Sequence, residues 1–171
     1  MRRGALAGLM VLAVAAVGRG EIIDRVMAVV NGRPITLSDV NGVLLFRLLE
    51  PPAGTRDPLG YALERSIERD LILAEVERFQ PPEPAPVEIA LRVRELEQRV
   101  GSTEAIEKAL SVTGTSREQL RRHVRDDLRI ATYLNQRFGT ARDAAERAAA
   151  IAAWTAEIRR RADVIVQYQP R

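Results

Sequence analysis

The sequence predicts a mainly α-helical fold with a small β-sheet: about six helices, an N-terminal β-hairpin, and a C-terminal strand that joins the hairpin. Three observations predict it. Apolar residues recur at helical spacing over most of the chain between Val40 and Ile158. The segments Ile22–Val30 and Ala162–Tyr168 are instead rich in β-branched residues or alternate with the strand's period of two. Aromatic residues make up only 4% of a composition that is 46% apolar, so the core has to be built from Leu, Ile, Val and Ala, which favours packed helices.

The chain opens with Arg2 and Arg3, continues as an apolar run from Ala5 to Val17, and offers small residues at Ala13, Ala15, Ala16 and Gly18. This is the pattern of a secretory signal peptide over residues 1–18, and it predicts export to the periplasm. A membrane anchor needs about 20 apolar residues, whereas this run stops at Gly18 with Arg19 following. Residues 19–171 then have the length of a single domain. Arg2 and Arg3 account for most of the net charge of +3, so the exported part is nearly neutral and the composition does not point to nucleic acid. The absence of cysteine excludes disulfides, thiol catalysis and thiolate metal sites.

The hairpin rests on Asn31-Gly32, the favoured pair for a type I′ turn, between Ile22–Val30 and the short stretch Arg33–Thr36. Pro34 cannot donate to a ladder, which confines the return strand to an edge. Thr36 and Asp39 form the start signal of a first helix carrying Val40, Val43, Leu44, Phe46, Leu48 and Leu49, expected to end before Pro51. Asp57 followed by Pro58 places an N-cap beside a proline at the first helical position and opens a second helix, with Leu59, Leu63, Ile67 and Leu71 on its stripe.

Prolines at 81, 82, 84 and 86 make a stiff connector. A third helix is expected over Val87–Val100, with Ile89, Val93, Leu96 and Val100 on one stripe and Gly101 beyond its end. A short fourth helix follows Ser102 and ends near Gly114. Thr115-Ser116-Arg117-Glu118 reads as the capping box of a long fifth helix through Phe138, on which Leu120, Val124, Leu128, Ala131, Leu134 and Phe138 share a side. The sixth helix is expected from Ala141 to Arg161 with Ile151, Trp154 and Ile158 at helical spacing, Trp154 as core. An isolated hairpin is marginal in water, so the terminal strand is expected to pair with it.

No nucleophile motif, phosphate loop or calcium loop is present, and His123 is the only histidine. Among Arg122 and Arg125 it reads as a solvated or partly covered surface residue, and Asp126-Asp127 beside Arg121, Arg122, Arg125 and Arg129 as a salt-bridged helix face. No cofactor or metal is expected, and neither catalysis nor a nucleic-acid partner. The informative surplus is apolar: Leu45, Phe46, Leu49, Ile72, Val76, Phe79, Ile130 and Tyr133 exceed one stripe per helix. They are either buried on two sides or line an apolar groove that binds a partner.

The stretch Ile22-Ile23-Asp24-Arg25-Val26-Met27-Ala28-Val29-Val30-Asn31-Gly32-Arg33-Pro34-Ile35-Thr36-Leu37-Ser38-Asp39-Val40 resembles the start of the mature SurA-type periplasmic chaperones and parvulin-type foldases. Glu118-Gln119-Leu120-Arg121 through Phe138 is similar to the long helix of that family, and the resemblance extends more weakly over residues 21–168. It implies a chaperone domain of the SurA or trigger-factor kind, completed by the last helix and strand. In the family, prolyl isomerase domains follow the long helix, whereas here Gly139-Thr140 leads straight into the last helix and His123 alone cannot supply the family's histidine pair. The resemblance therefore implies ATP-independent binding of unfolded outer-membrane or secreted proteins without isomerase activity, with transient contact to membrane or assembly machinery. A dedicated assembly factor or structural subunit of a cell-envelope complex is the alternative, and a degenerate isomerase the enzymatic one.

Overall fold

The computed structural model describes residues 24–170, so the expected signal peptide and the first residues of the hairpin, Ile22 and Ile23, lie outside the described residues. Within them the chain runs β1 (Val26–Val30), β2 (Arg33–Thr36), α1 (Leu37–Leu45), α2 (Pro58–Phe79), α3 (Pro86–Val100), α4 (Thr103–Thr113), α5 (Arg117–Phe138), α6 (Ala144–Arg161) and β3 (Val164–Val166). The fold is mainly α with a three-stranded antiparallel sheet, as its periodicity predicts.

The sheet has the order β2-β1-β3, so the C-terminal strand does return to the N-terminal hairpin. Asn31 and Gly32 hold positive φ of 49° and 79°, which Asn and Gly tolerate at small steric cost. Ala28, Val29 and Val30 lie opposite Val166, Ile165 and Val164.

Local chemistry sets most helix starts. Thr36 and Asp39 form a reciprocal capping box at α1, and the Asp57 side chain accepts from the Gly60 N–H at the start of α2 beside Pro58. The box that opens α5 is Ser116 with Gln119, one residue later than the Thr115–Glu118 reading. Both registers carry acceptable residues, and the tertiary path selects the second. The start of α6 shifts from Ala141 to Ala144 because the Asp143 carboxylate accepts from the Glu146 N–H and caps the helix there.

The largest departure is α1, which ends at Leu45 and does not carry on through Leu48 and Leu49 to the residues before Pro51. Arg47 adopts positive φ of 50°, and the turn drives Phe46 away from the sheet and into a separate apolar cluster. Arg47 and Arg99 then lock this corner, each guanidinium donating to the other's backbone carbonyl at 3.1 and 3.0 Å.

Two apolar clusters result. The larger packs the sheet residues Met27, Ala28, Val30 and Ile35 against Leu63, Ile67, Leu71 and Val76 of α2, Tyr133 of α5 and Ile158 of α6. The smaller joins Phe46 to Leu96 of α3, Ile106, Ala109 and Leu110 of α4, and Leu120 and Val124 of α5. α5 serves both, its first half in the small cluster and its second half in the large one.

Because Ile106 is fully buried in the small cluster, Ile106→Ala is expected to cost about 2–5 kcal/mol. Urea denaturation followed by circular dichroism measures this. A single shared transition is expected, since α5 couples the clusters, and two separated transitions would show them to be independent.

Candidate binding groove

The described surface carries an elongated apolar depression along α5. Its first stretch, a cavity of about 440 Å³, lies between α3 and α5 and is lined by Leu48, Leu91, Leu96, Val124, Leu128 and Ala131. The second, about 330 Å³, lies between α2 and α5, where Ile72, Ile130, Ala131 and Leu134 form its apolar wall. Both stretches include Asp127 and Ala131 in their linings, so they adjoin along α5 as two parts of an interrupted trough. α5 positions the floor because residues 124, 128, 131 and 134 recur at helical spacing and share a side. Leu91 stands 54% exposed on the α3 wall, one helical face away from the stripe that packs α3 onto α5.

Glu88, Arg92, Glu95, Arg99 and Asp127 also line the first stretch, and most of the charges around the trough are paired within the chain. Arg92 meets Glu95 at 2.9 Å on the α3 side, and Arg65 meets Glu68 at 2.6 Å on the α2 side. At the crossing, Arg69 Nε donates to Asp127 at 2.7 Å and its NH2 group donates to the His123 carbonyl at 3.2 Å. Glu88 accepts from the Ala85 N–H. Arg99 donates to the Arg47 carbonyl, so Glu88 and Arg99 meet backbone groups and not opposite charges, and a bound segment meets apolar side chains within a rim of mostly paired charges.

The structure brings only two of the eight sequence candidates, Ile72 and Ile130, to this trough, and Ile72 is itself a buried member of the large cluster. Phe46 is 2% exposed and Val76 fully buried, so both are core residues. Tyr133 is 5% exposed and stacks between Phe79 and Trp154 at ring-centroid distances of 5.6 and 5.8 Å. Leu49 is half-buried against the large cluster, whereas Leu45 and Phe79 are exposed elsewhere. The groove expectation is thus corrected for Phe46, Val76 and Tyr133: two clusters consume apolar positions that exceed a single stripe. Sequence reasoning missed Leu48, Leu91, Leu128, Ala131 and Leu134 as groove residues. Leu91 was legible, since it falls off the Ile89, Val93, Leu96 stripe of α3, while Leu128, Ala131 and Leu134 look like ordinary core positions.

A smaller cleft of about 300 Å³ lies on the other side of Arg69, among β2, α1, α2 and α5, and includes Asp39, Asp70 and His123. His123 is the partly covered residue expected, its side chain 26% exposed and its Nε2 3.5 Å from Asp127. Burial pushes its pKa down, Arg69 pushes the same way, and Asp127 and Asp126 oppose them. Burial pushes the Asp70 carboxyl up against the pull of Arg69. The helix face read as salt-bridged is so: Arg125 meets Asp126 at 2.8 Å, and buried Arg129 lies 3.1 Å from Glu83 and 3.7 Å from Asp126. Trp154 is half-buried against the large cluster, with Arg137 over its ring.

Among the described residues no group of three or more His, Asp or Glu side chains is placed to hold a metal ion, and no helix is long and apolar enough to cross a membrane. Neither a scan against protein-family models nor a search of curated proteins finds a match to this chain.

A histidine whose pKa is lower folded than unfolded binds fewer protons in the native state, so stability falls as pH drops below the ordinary value of 6.5 toward the folded one. His123→Gln is expected to remove that part of the acid dependence, leaving the contribution of carboxylates such as Asp70 in place. Thermal melts of both proteins from pH 7.5 down to about 5 test it. Parallel curves would show that His123 has the same pKa folded and unfolded.

Proposed function

We propose that the protein is a non-enzymatic, ATP-independent chaperone of the SurA type that holds extended apolar segments of unfolded envelope proteins in the trough along α5. The observation that carries the reading is the trough itself: an open depression between α2 and α3 that presents exposed apolar side chains within a rim of mostly paired charges. An unfolded polypeptide crossing it covers Leu91, Ile130, Ala131 and Leu134. Capture of this kind needs no nucleotide, because burial of apolar surface drives it and the ordering entropy of the client limits its affinity. Weak, reversible holding is what a transit chaperone requires.

The resemblance of residues 22–40 and 118–138 to SurA-type proteins supports the same reading, and the N-terminal run of residues 5–17 supports action in the periplasm on outer-membrane or secreted clients. The return of β3 to the N-terminal hairpin agrees with a chaperone domain completed by its last helix and strand.

The test compares suppression of aggregation of an unfolded outer-membrane β-barrel protein, followed by light scattering, for the unmodified chain and a Leu91→Asp, Ala131→Lys double variant. Both positions are exposed, so the variant is expected to keep its melting temperature. Placing charge where a client side chain is buried is expected to weaken client binding about tenfold. Equal suppression by a folded variant would remove the trough from the mechanism. Absence of suppression by the unmodified chain would overturn the general chaperone and favour a dedicated assembly partner.

A further inference from the structure

The three-stranded sheet has two edges, and the chain treats them differently. On β2, Val30 and Arg33 flank the two-residue turn and Ala28 lies opposite Ile35, so Pro34 and Thr36 are the residues that face away from β1. Pro34 has no N–H, and the Thr36 N–H is taken by the Asp39 carboxylate at 2.8 Å. That edge offers no free donor at either position. It is sealed against further pairing, which is how natural sheets protect an edge.

β3 carries no such seal. Asn31 N–H donates to the Asp163 carbonyl and Gln167 N–H to the Met27 carbonyl, both at 2.8 Å, so residues 163, 165 and 167 face β1. Val164 and Val166 therefore turn their N–H and C=O groups outward, and no described residue hydrogen-bonds them. Ile165 and Val166 stand 51% and 44% exposed. The strand contains neither proline nor charge, two of the devices that close an edge, and its own shortness is what limits pairing there.

The open edge also constrains what fits it. Three residues at about 3.3 Å each give an edge about 10 Å long. Two such edges paired across a two-fold fall far short of the roughly 1,200 Å² that a stable dimer buries. Of the arginines leading into β3, Arg159 meets Glu64 at 2.8 Å while Arg160 and Arg161 share Glu157, and with Asp163 following them in the chain the approach to β3 carries no net charge. What remains is a short backbone template with β-branched side chains, which an extended uncharged segment of another polypeptide matches.

We propose that the outer edge of β3 binds an extended, uncharged segment of an unfolded client by strand addition, as a fourth strand beside Val164–Val166. This rests on the client-binding reading and adds a second point of capture that reads backbone and not side chains. Main-chain hydrogen bonds supply sequence-tolerant affinity, while the trough supplies apolar contact.

The test uses the full chain and a short capped peptide alternating valine and threonine, with amide hydrogen exchange followed by NMR. Saturating peptide is expected to slow exchange of the Val164 and Val166 amides about tenfold. Val166→Pro removes one outward N–H and leaves the bonds to β1 intact, so it is expected to weaken peptide binding about tenfold. In the Leu91→Asp, Ala131→Lys variant the peptide is expected to protect the Val164 and Val166 amides as before, whatever it loses at the trough, which separates this proposal from the trough. Unchanged exchange at both valines, whether or not peptide binds elsewhere, would overturn strand addition while leaving aggregation suppression through the trough standing. Protection that grows with protein concentration in the absence of peptide would assign the edge to a second copy and equally overturn it. The exchange measurement needs no variant, so the proposal is decided even where Val166→Pro fails to fold.

Discussion

Everything in this molecule depends on one helix being buried on two sides by different partners. α5 is 22 residues long, about twice the average for globular helices, and neither apolar cluster closes without it. Its first half contributes Leu120 and Val124 to the cluster under α3 and α4, and its second half contributes Tyr133 to the cluster under the sheet. The face left between these contacts is the floor of the trough. A helix packed on one side alone would leave a flat apolar surface, and one wrapped completely would leave none. The trough exists because α2 and α3 flank α5 without meeting over it.

Polar contacts keep that geometry open. Arg69 reaches from α2 to Asp127 and to the His123 carbonyl on α5, and so fixes the spacing of two helices beside the trough. Arg129, buried in α5, pairs with Asp126 and with Glu83 of the proline-rich connector, which ties the segment between α2 and α3 to the same helix. A buried arginine stabilises little in net terms, because desolvation offsets the attraction. Its effect is on arrangement, since few alternative packings leave both carboxylates in reach. The Arg47 and Arg99 exchange does the same at the far corner, joining the chain after α1 to the end of α3.

The sheet is small, yet it joins the two ends of the described chain. β3 adds to the hairpin only after α6 has crossed the molecule, and Tyr168 then donates a hydrogen bond to the Asp57 carboxylate that also caps α2. One carboxylate thus links the chain's last residues to the start of its second helix. A two-stranded ribbon gains the third strand it needs for stability from a residue range more than 130 positions away.

The sequence by itself determined the fold class, the helix count, the hairpin and its turn, and the return of the last strand. These follow from short-range causes: the period of apolar residues, the positive φ of Asn31-Gly32, the carboxylates and hydroxyls that cap helices, and the prolines that begin or forbid them. Capping even located α2 and α4 to within a residue. Only the tertiary structure decided which surplus apolar residues are core. Phe46, Val76 and Tyr133 differ from Ile130 in no local property, since each is apolar and expected at helical spacing. What separates them is which cluster closes over each: Val76 and Tyr133 are covered beneath the sheet, and Phe46 by residues as distant in the chain as Ile106. The end of α1 was decided in the same way: a left-handed turn at Arg47 is unfavourable locally and is held by Phe46 burying beneath α3 and α4.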